Sequence, residues 1–468
     1  MSLNSFSFIL FMPLVVFVNF MLPRRRRYLW LLAASCFFYL STDVRYAVGL
    51  FFCILVSYAA GLLLEGGALR RRKLLLGCGI LLQVSCLLFF RGSFGKAGFV
   101  PLGISFYTLQ SIGYTIDVYR RQIPAERNLL RYAAFLSFFP TVISGPIQRG
   151  TGLLQQLREG RDFDYSKARS GLYCLLWGYL LKLVVADRLG GMVAFAYGSS
   201  QDMPGATLLW ATILYGIQLY CDFAGYSALA IGAGRLLGFD LADNFSQPYF
   251  AASIGDFWNR WHISLSSWLR DYVYIPLGGN RKGKGRKYLN LMLTFLVSGL
   301  WHGSGANFLL WGALHGAYQV LGDIARGKAG GRDAAARRKS PLCRAAGMLS
   351  TFALADFAWL FFRADSLGHA LSILNRIAFH FGLGEMTYYG SYLLGGSRFG
   401  LVSVLLGILG VFLVDFLHER KLSLAEFSAR RVNVVVRWGA YIALTLLILL
   451  TVVQNYGQAA STFLYERF

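Results

Sequence analysis

Between Leu289 and Leu321 the chain stays apolar for about 33 residues, and its middle reads Val297-Ser298-Gly299-Leu300-Trp301-His302-Gly303-Ser304-Gly305. Two full membrane crossings need about 40 residues plus a turn. Basic clusters at Arg281 to Lys287 and Arg326 to Arg344 flank the run, and the charge rule puts both on the same side. The run must therefore enter and return. Gly303 and Gly305 weaken a helix where the turn is needed. The spacing predicts a re-entrant or strongly tilted pair of half-helices turning at His302, with that imidazole at depth beside a cavity. An imidazole in apolar surroundings is costly unless it has a partner or a task.

The rest of the chain supports a membrane setting. Of 468 residues, 56% are hydrophobic and 15% charged, and the mean hydropathy is +0.49. Apolar runs near the bilayer-spanning length recur, so the chain reads as an all-α polytopic integral membrane protein with about 11–12 membrane helices. Continuous runs, in place of short alternating ones, exclude a membrane β-barrel. The net charge of +23 sits in short clusters between apolar runs, at Arg24 to Arg27, Arg70 to Lys73, Arg281 to Lys287 and Arg326 to Arg344. That pattern marks a cytoplasmic face, so no nucleic-acid partner is expected. The clusters can still hold an anionic donor or lipid headgroups of the bilayer. Seven cysteines show no paired spacing and lie mostly in apolar runs, as buried small hydrophobes do.

Phe6 to Leu22 has no basic residue before it and four arginines after it. It reads as a retained first span with the N-terminus extracytoplasmic. Tyr28 to Leu40, Tyr46 to Leu64 and Leu74 to Phe90 follow. Phe99 to Ile116 and Leu129 to Ile147 carry Pro101, Pro140, Gly145 and Pro146, so broken helices beside a cavity are expected there. Thr151 to Ser170 reads as a polar loop, and Gly171 to Ala186 and Leu208 to Leu219 as spans. Asp222 lies in a largely apolar stretch, either as a functional acid or as a structural partner of a group such as Arg235. Trp258, Trp261, Leu265, Trp268 and Tyr272 recur at helical steps as one aromatic face, and Asp256 and Arg260 are spaced to pair. Leu349 to Phe362, Phe399 to Leu417 and Trp438 to Val453 complete the spans. The whole of 1–468 reads as a single domain, with peripheral helices in 1–98, a catalytic core in about 99–325 and C-terminal helices in about 345–468.

Walker A, GxGxxG, HExxH, CxxC and Gly-x-Ser-x-Gly patterns are all missing from the sequence. Three of the six histidines, His262, His302 and His315, fall between Asp256 and His315. A neutral imidazole beside a cavity can take a proton from a hydroxyl as its oxygen attacks an activated acyl group. Read alone, His262 suits packing or an interfacial anchor as well as catalysis. His302, at a helix break between Trp and Gly, is the better base. His315 can be a supporting donor or helix packing. No local spacing supports a metal site.

The sequence resembles the membrane-bound O-acyltransferase superfamily, most closely its bacterial alginate O-acetyltransferase-like branch. The resemblance rests on Pro101-Leu102-Gly103-Ile104-Ser105-Phe106-Tyr107, Ser144-Gly145-Pro146-Ile147, Asp222-Phe223-Ala224-Gly225-Tyr226-Ser227 and Asn244-Phe245-Ser246-Gln247-Pro248-Tyr249. It continues through Asp256 to Ser266, Arg270 to Arg281 and Gly299 to Gly303, covering roughly residues 1 to 365 and more loosely the tail through Phe463-Leu464-Tyr465. It implies membrane helices around a central funnel or tunnel, linking a cytoplasmic thioester donor to an extracytoplasmic hydroxyl. The family's invariant histidine matches His302 and its second polar position matches His262. Asp222, Asn259, Arg260, Trp261, Ser266, Arg270, Asp271, Trp301 and His315 fall in the tunnel or supporting positions. Ala224 stands where the pattern usually has Ser, so no hydroxyl role falls there. The implied donor is acetyl-CoA or another acyl thioester, with no tightly bound cofactor. The implied partners are an extracytoplasmic acyltransferase and a polysaccharide. The implied location is the bacterial plasma membrane. D-alanyl transfer from an acyl carrier protein, as in teichoic acid modification, is the alternative within the superfamily; a polymer or lipid transporter is the alternative of another class.

Overall fold

Each long apolar run becomes a helix, and among the described residues there is no strand. The computed structural model describes residues 1–66, 68–94, 99–328, 340–384, 398–422 and 432–454. The basic stretch 329–339 and the tail 455–468 lie outside the described residues. Val44–Glu65, Leu69–Gly92, Pro341–Arg363 and Val434–Thr451 are long and apolar enough to cross a membrane, and Phe6–Met21 is a shorter apolar helix. Large apolar side chains such as Leu81, Leu88, Leu406, Leu409 and Phe412 are exposed, which suits a lipid-facing surface.

The chain divides into two compact units, one of 1–178 with 226–243 and one of 179–225 with 244–468. The first holds α1 (Phe6–Met21), α2 (Arg27–Leu40), α3 (Ala47–Glu65), α4 (Leu69–Phe89), α5 (Ile104–Tyr119), α6 (Leu129–Leu136), α7 (Phe139–Val142), α8 (Gln155–Glu159) and nearly all of α9 (Tyr165–Tyr179). Helix α5 is buried all round and packs on α3 and α4. Its start depends on Gly103, at φ 73°, where a Cβ would stand 2.0 Å from the carbonyl oxygen of Val142. Only glycine fits both that conformation and that approach. The prolines break the 129–147 run into α6 and α7, in line with the sequence. The expected polar loop at 151–170 is instead partly helical, because Leu153, Leu154 and Leu157 bury themselves within it.

The second unit holds α10 (Asp187–Gly198), most of α11 (Gly205–Leu236), α12 (Ile254–Arg260), α13 (Ile263–Leu269), α14 (Gly283–His302), α15 (Ala306–Lys328), α16 (Pro341–Arg363), α17 (Leu367–Phe379), α18 (Arg398–Glu419) and α19 (Val434–Gln454). Helix α11 does not stop at Leu219. It runs on for 32 residues in all, past Asp222, because that carboxylate meets the ammonium of Lys182 at 2.6 Å and no longer interrupts an apolar helix.

Helices α14 and α15 form an antiparallel hairpin with its turn directly after His302, as the glycines predict. They are not half-helices, since α14 begins among the basic residues at Gly283 and α15 continues to Lys328. Two glycines set how closely they pack. A Cβ on Gly299 would lie 2.4 Å from the Phe308 carbonyl oxygen, and one on Gly312 would lie 2.4 Å from that of Phe295. The backbones therefore touch, the small-residue contact that membrane helices use to approach one another.

Candidate active site

His302 is the last residue of α14, 2% exposed, with Gly303 as the cap that ends the helix. Its imidazole is enclosed by rings: Trp301 at 4.6 Å, Trp311 at 5.0 Å and Phe362 at 5.2 Å between centroids. The touching backbones at Gly299 and Gly312 hold this end of α14 against α15, so the position of His302 is built into the hairpin.

His262 is 1% exposed and lies where a continuous aromatic helix was expected. The helix instead breaks there, and His262 adopts the left-handed region at φ 45° between α12 and α13. The cause is the segment at 244–246. Ile263 N–H donates to the Asn244 carbonyl at 3.0 Å and Ser246 N–H to that of Arg260 at 3.0 Å, diverting both from helical bonding. The Asn244 side-chain oxygen accepts from Ser264 N–H at 3.3 Å and from the Ser264 hydroxyl at 2.8 Å. An N–H can only donate, so that atom is the oxygen, and the His262 Nδ1 at 3.0 Å from it must carry the proton. The Nε2 of neutral His262 therefore bears the lone pair. Trp301 stands between the two histidines, its ring centroid 6.2 Å from His262 and 4.6 Å from His302.

His315 has the opposite tautomer. Its Nδ1 accepts from Trp258 Nε1–H at 3.2 Å, which leaves its proton on Nε2. It is fully buried between Trp258, at 5.0 Å, and Trp311, at 5.1 Å. Trp258 also lines a cavity of about 400 Å³ with Asn259, Ser266, Arg270, Phe295 and Gln319. That cavity meets α14 at Leu291, Thr294 and Phe295, midway between the end that carries Lys284, Arg286 and Lys287 and the end that carries His302. Contacting rings lead from the cavity to His302: Trp258, His315, Trp311, His302.

Comparison with known proteins gives the family. The profile of the membrane-bound O-acyltransferase family matches residues 118–327. The protein named "Probable alginate O-acetylase AlgI" of Pseudomonas putida is 35% identical over 100% of this chain and 99% of its own length. The chain belongs to the membrane-bound O-acyltransferase family. The peptidoglycan O-acetyltransferase of Helicobacter pylori is 34% identical over 74% of this chain and 73% of its own. The teichoic acid D-alanyltransferase of Streptococcus thermophilus is 31% identical over 47% of this chain and 56% of its own. This O-acyltransferase is thus a polytopic membrane enzyme.

Within this O-acyltransferase, the other residues singled out from the sequence fall in the cavity, in the ring cluster or in ion pairs. Asn259, Ser266 and Arg270 line the cavity, and Trp261, Trp301 and His315 stand in the ring cluster. Asp222 is drawn into an ion cluster with Lys182, which also meets Asp187 at 2.7 Å. Arg235 bonds the Ser170 hydroxyl at 2.8 Å, far from being the partner of Asp222. Arg260 pairs with Asp256 at 3.0 Å and Glu419 at 2.6 Å, and Asp271 with Arg270 at 2.9 Å. No group of three or more metal-ligand side chains occurs among the described residues. Sequence reasoning passed over Lys182, Trp311 and Trp359, and gave Asn244 no role of its own. Lys182 carried a readable signal, a lone charge inside an apolar run. Asn244 carried none, because its role comes from meeting His262 in space.

Proposed function

We propose that this enzyme takes an acetyl group from a thioester that enters from the cytoplasmic side and passes it to a hydroxyl on the extracytoplasmic side. The observation that carries this reading is the course of α14, which starts among basic residues, meets the cavity at mid-length and ends on a buried histidine. Basic flanks mark the cytoplasmic end, and the surrounding arginines and lysines suit an anionic donor such as acetyl-CoA or a phosphopantetheine carrier. His302 lies eight positions after Thr294, about 12 Å of helix. An extended pantetheine arm spans that distance.

In the reaction the acceptor oxygen attacks the thioester carbonyl carbon while its proton passes to His302. The C–O bond forms, the C–S bond breaks, and the proton is delivered to the departing thiolate sulfur. General-base assistance of this kind contributes about 10²–10⁴ in rate. His262, with its proton held on Nδ1 by Asn244, fits a relay that accepts at Nε2 better than a donor to the acyl carbonyl. The names of the relatives, alginate and peptidoglycan O-acetylases, favour a polysaccharide hydroxyl as final acceptor, reached through an extracytoplasmic partner protein. The same reading puts the chain in the bacterial plasma membrane with its N-terminus outside.

The test is incubation of the purified full chain in lipid nanodiscs, with an unacetylated alginate oligosaccharide as hydroxyl acceptor, with labelled acetyl-CoA and separately with acetyl- and D-alanyl-loaded carrier protein. Thiol release with loss of the acetyl label from either acetyl donor is expected. Release from the D-alanyl carrier alone would move the enzyme to the teichoic acid branch. Movement of substrate across the bilayer with every thioester intact would make it a transporter.

A further inference from the structure

A base and a relay still leave the thioester oxygen unattended. Charge develops on that oxygen as the tetrahedral intermediate forms, and acyl transfer is fast when fixed donors await it. His262 cannot serve in its neutral form, since its only N–H is given to Asn244. Two further N–H groups stand on α15. Trp311 Nε1 and His315 Nε2 are both buried without a hydrogen-bond partner among the described residues. Both must be donors, the indole by its chemistry and His315 because its Nδ1 accepts from Trp258. They lie on successive turns of one face of α15, their ring centroids 5.1 Å apart, and Trp311 rests on His302 at 5.0 Å. Buried donors without acceptors are rare in folded proteins, and two adjacent ones, the nearer resting on a histidine base, call for an oxygen.

The same place is closed by bulk. Trp359 stacks on Trp311 at 5.7 Å and 24° and packs on Trp261 at 5.0 Å, and Phe362 contacts both Trp311 and Trp359. Trp311 and Trp359 are 0% exposed. A group seated against His302 therefore meets an aromatic wall with little to spare.

We propose that Trp311 Nε1–H and His315 Nε2–H receive the acyl oxygen of the thioester, and that the Trp311–Trp359 wall restricts the acyl group to acetyl. The inference rests on the acyl-transfer reading above and adds the oxyanion donors and the chain-length filter. Bond changes are those already given: the acceptor oxygen adds, the thiolate leaves, and the hydroxyl proton travels through His302 to sulfur.

Acetyl-, propionyl- and butyryl-pantetheine are suitable donor probes, since coenzyme A and carrier proteins share that arm, with an unacetylated alginate oligosaccharide supplying the acceptor hydroxyl and thiol release as the readout. Trp311→Phe keeps the bulk and removes the N–H. It should lower kcat for acetyl-pantetheine about 10²-fold while KM stays close to that of the wild type, the signature of an interaction made in the transition state. His315→Leu should lose rate in the same way, and His315→Gln, which restores an N–H, should recover part of it. Trp359→Leu should raise the butyryl-to-acetyl ratio of kcat/KM by about tenfold or more, the discrimination that a methylene or two commands in a tight pocket. Trp359→Phe, a smaller opening, should shift it toward propionyl and serves if the leucine variant does not fold. Wild-type kcat in folded Trp311→Phe and His315→Leu would overturn the donor assignment, and an unchanged acyl ratio in both Trp359 variants would overturn the filter. No thiol release by the wild type from any of these probes or from acetyl-CoA would overturn the parent reading and this one together.

Discussion

Two buried polar regions of the second unit differ in how their polarity is closed. Around Lys182 the charges answer one another: one ammonium lies 2.7 Å from Asp187 and 2.6 Å from Asp222, and Lys182 and Asp222 are hidden from solvent. Around His302 the neighbours are aromatic rings. Imidazoles and indoles meet ring against ring, and Trp311 and His315 keep N–H groups that no described residue accepts. Buried charge that is answered internally holds helices in register and has nothing left to offer a substrate. Buried polarity that is uncharged and incompletely answered is available for chemistry. Asp222 looked as promising as His302 by the rule that intramembrane ionisable groups mark function. The partners distinguish them.

The contrast breaks first, and most sharply, at His302. His302→Ala should lower thiol release from the acetyl donor by about 10³-fold or more, with thermal unfolding close to that of the wild type. An active His302→Ala enzyme would make the ring cluster mere packing. Asp222→Asn tests the other side. It should strand Lys182 with one carboxylate and cost about 3–5 kcal/mol of stability, read as a lower unfolding temperature, while turnover per folded molecule stays near wild type. Removing Lys182 and Asp222 together, as Lys182→Met with Asp222→Leu, should cost less than Asp222→Asn alone. Loss of turnover in folded Asp222→Asn would erase the distinction. The smallest of the three effects belongs to Asn244→Ala, which frees the tautomer of His262 and should reduce turnover about 10–100-fold, the range for partners that orient a working histidine. His262→Ala should then be no worse than tenfold beyond it; turnover unchanged by either substitution would remove His262 from the reaction.

Much of this was legible in the residues because apolar length and helix breakers are local. The hairpin turn at His302 followed from Gly303 and Gly305, and the break at 129–147 from Pro140 and Pro146. What escaped was set by contacts distant in sequence. A lone Asp in an apolar stretch looks like an interruption until Lys182 is placed beside it, and then α11 continues through. The aromatic period from Trp258 to Tyr272 is helical throughout, yet Asn244 competes for the backbone at Ile263 and the helix parts at His262. Periodicity cannot report a competitor from another loop. The half-helices expected at 289–321 came out longer because basic residues joined the start of α14, where hydropathy sees only a boundary.

The touching backbones at Gly299 and Gly312 have a consequence for genetics. Neither glycine has a side chain to offer a substrate, yet any larger residue at either must push α14 from α15 and carry His302 out of its ring of tryptophans. A random-mutagenesis screen for loss of acyl transfer should therefore return these two glycines alongside the histidine, as alleles that fail through geometry with every reacting group still present.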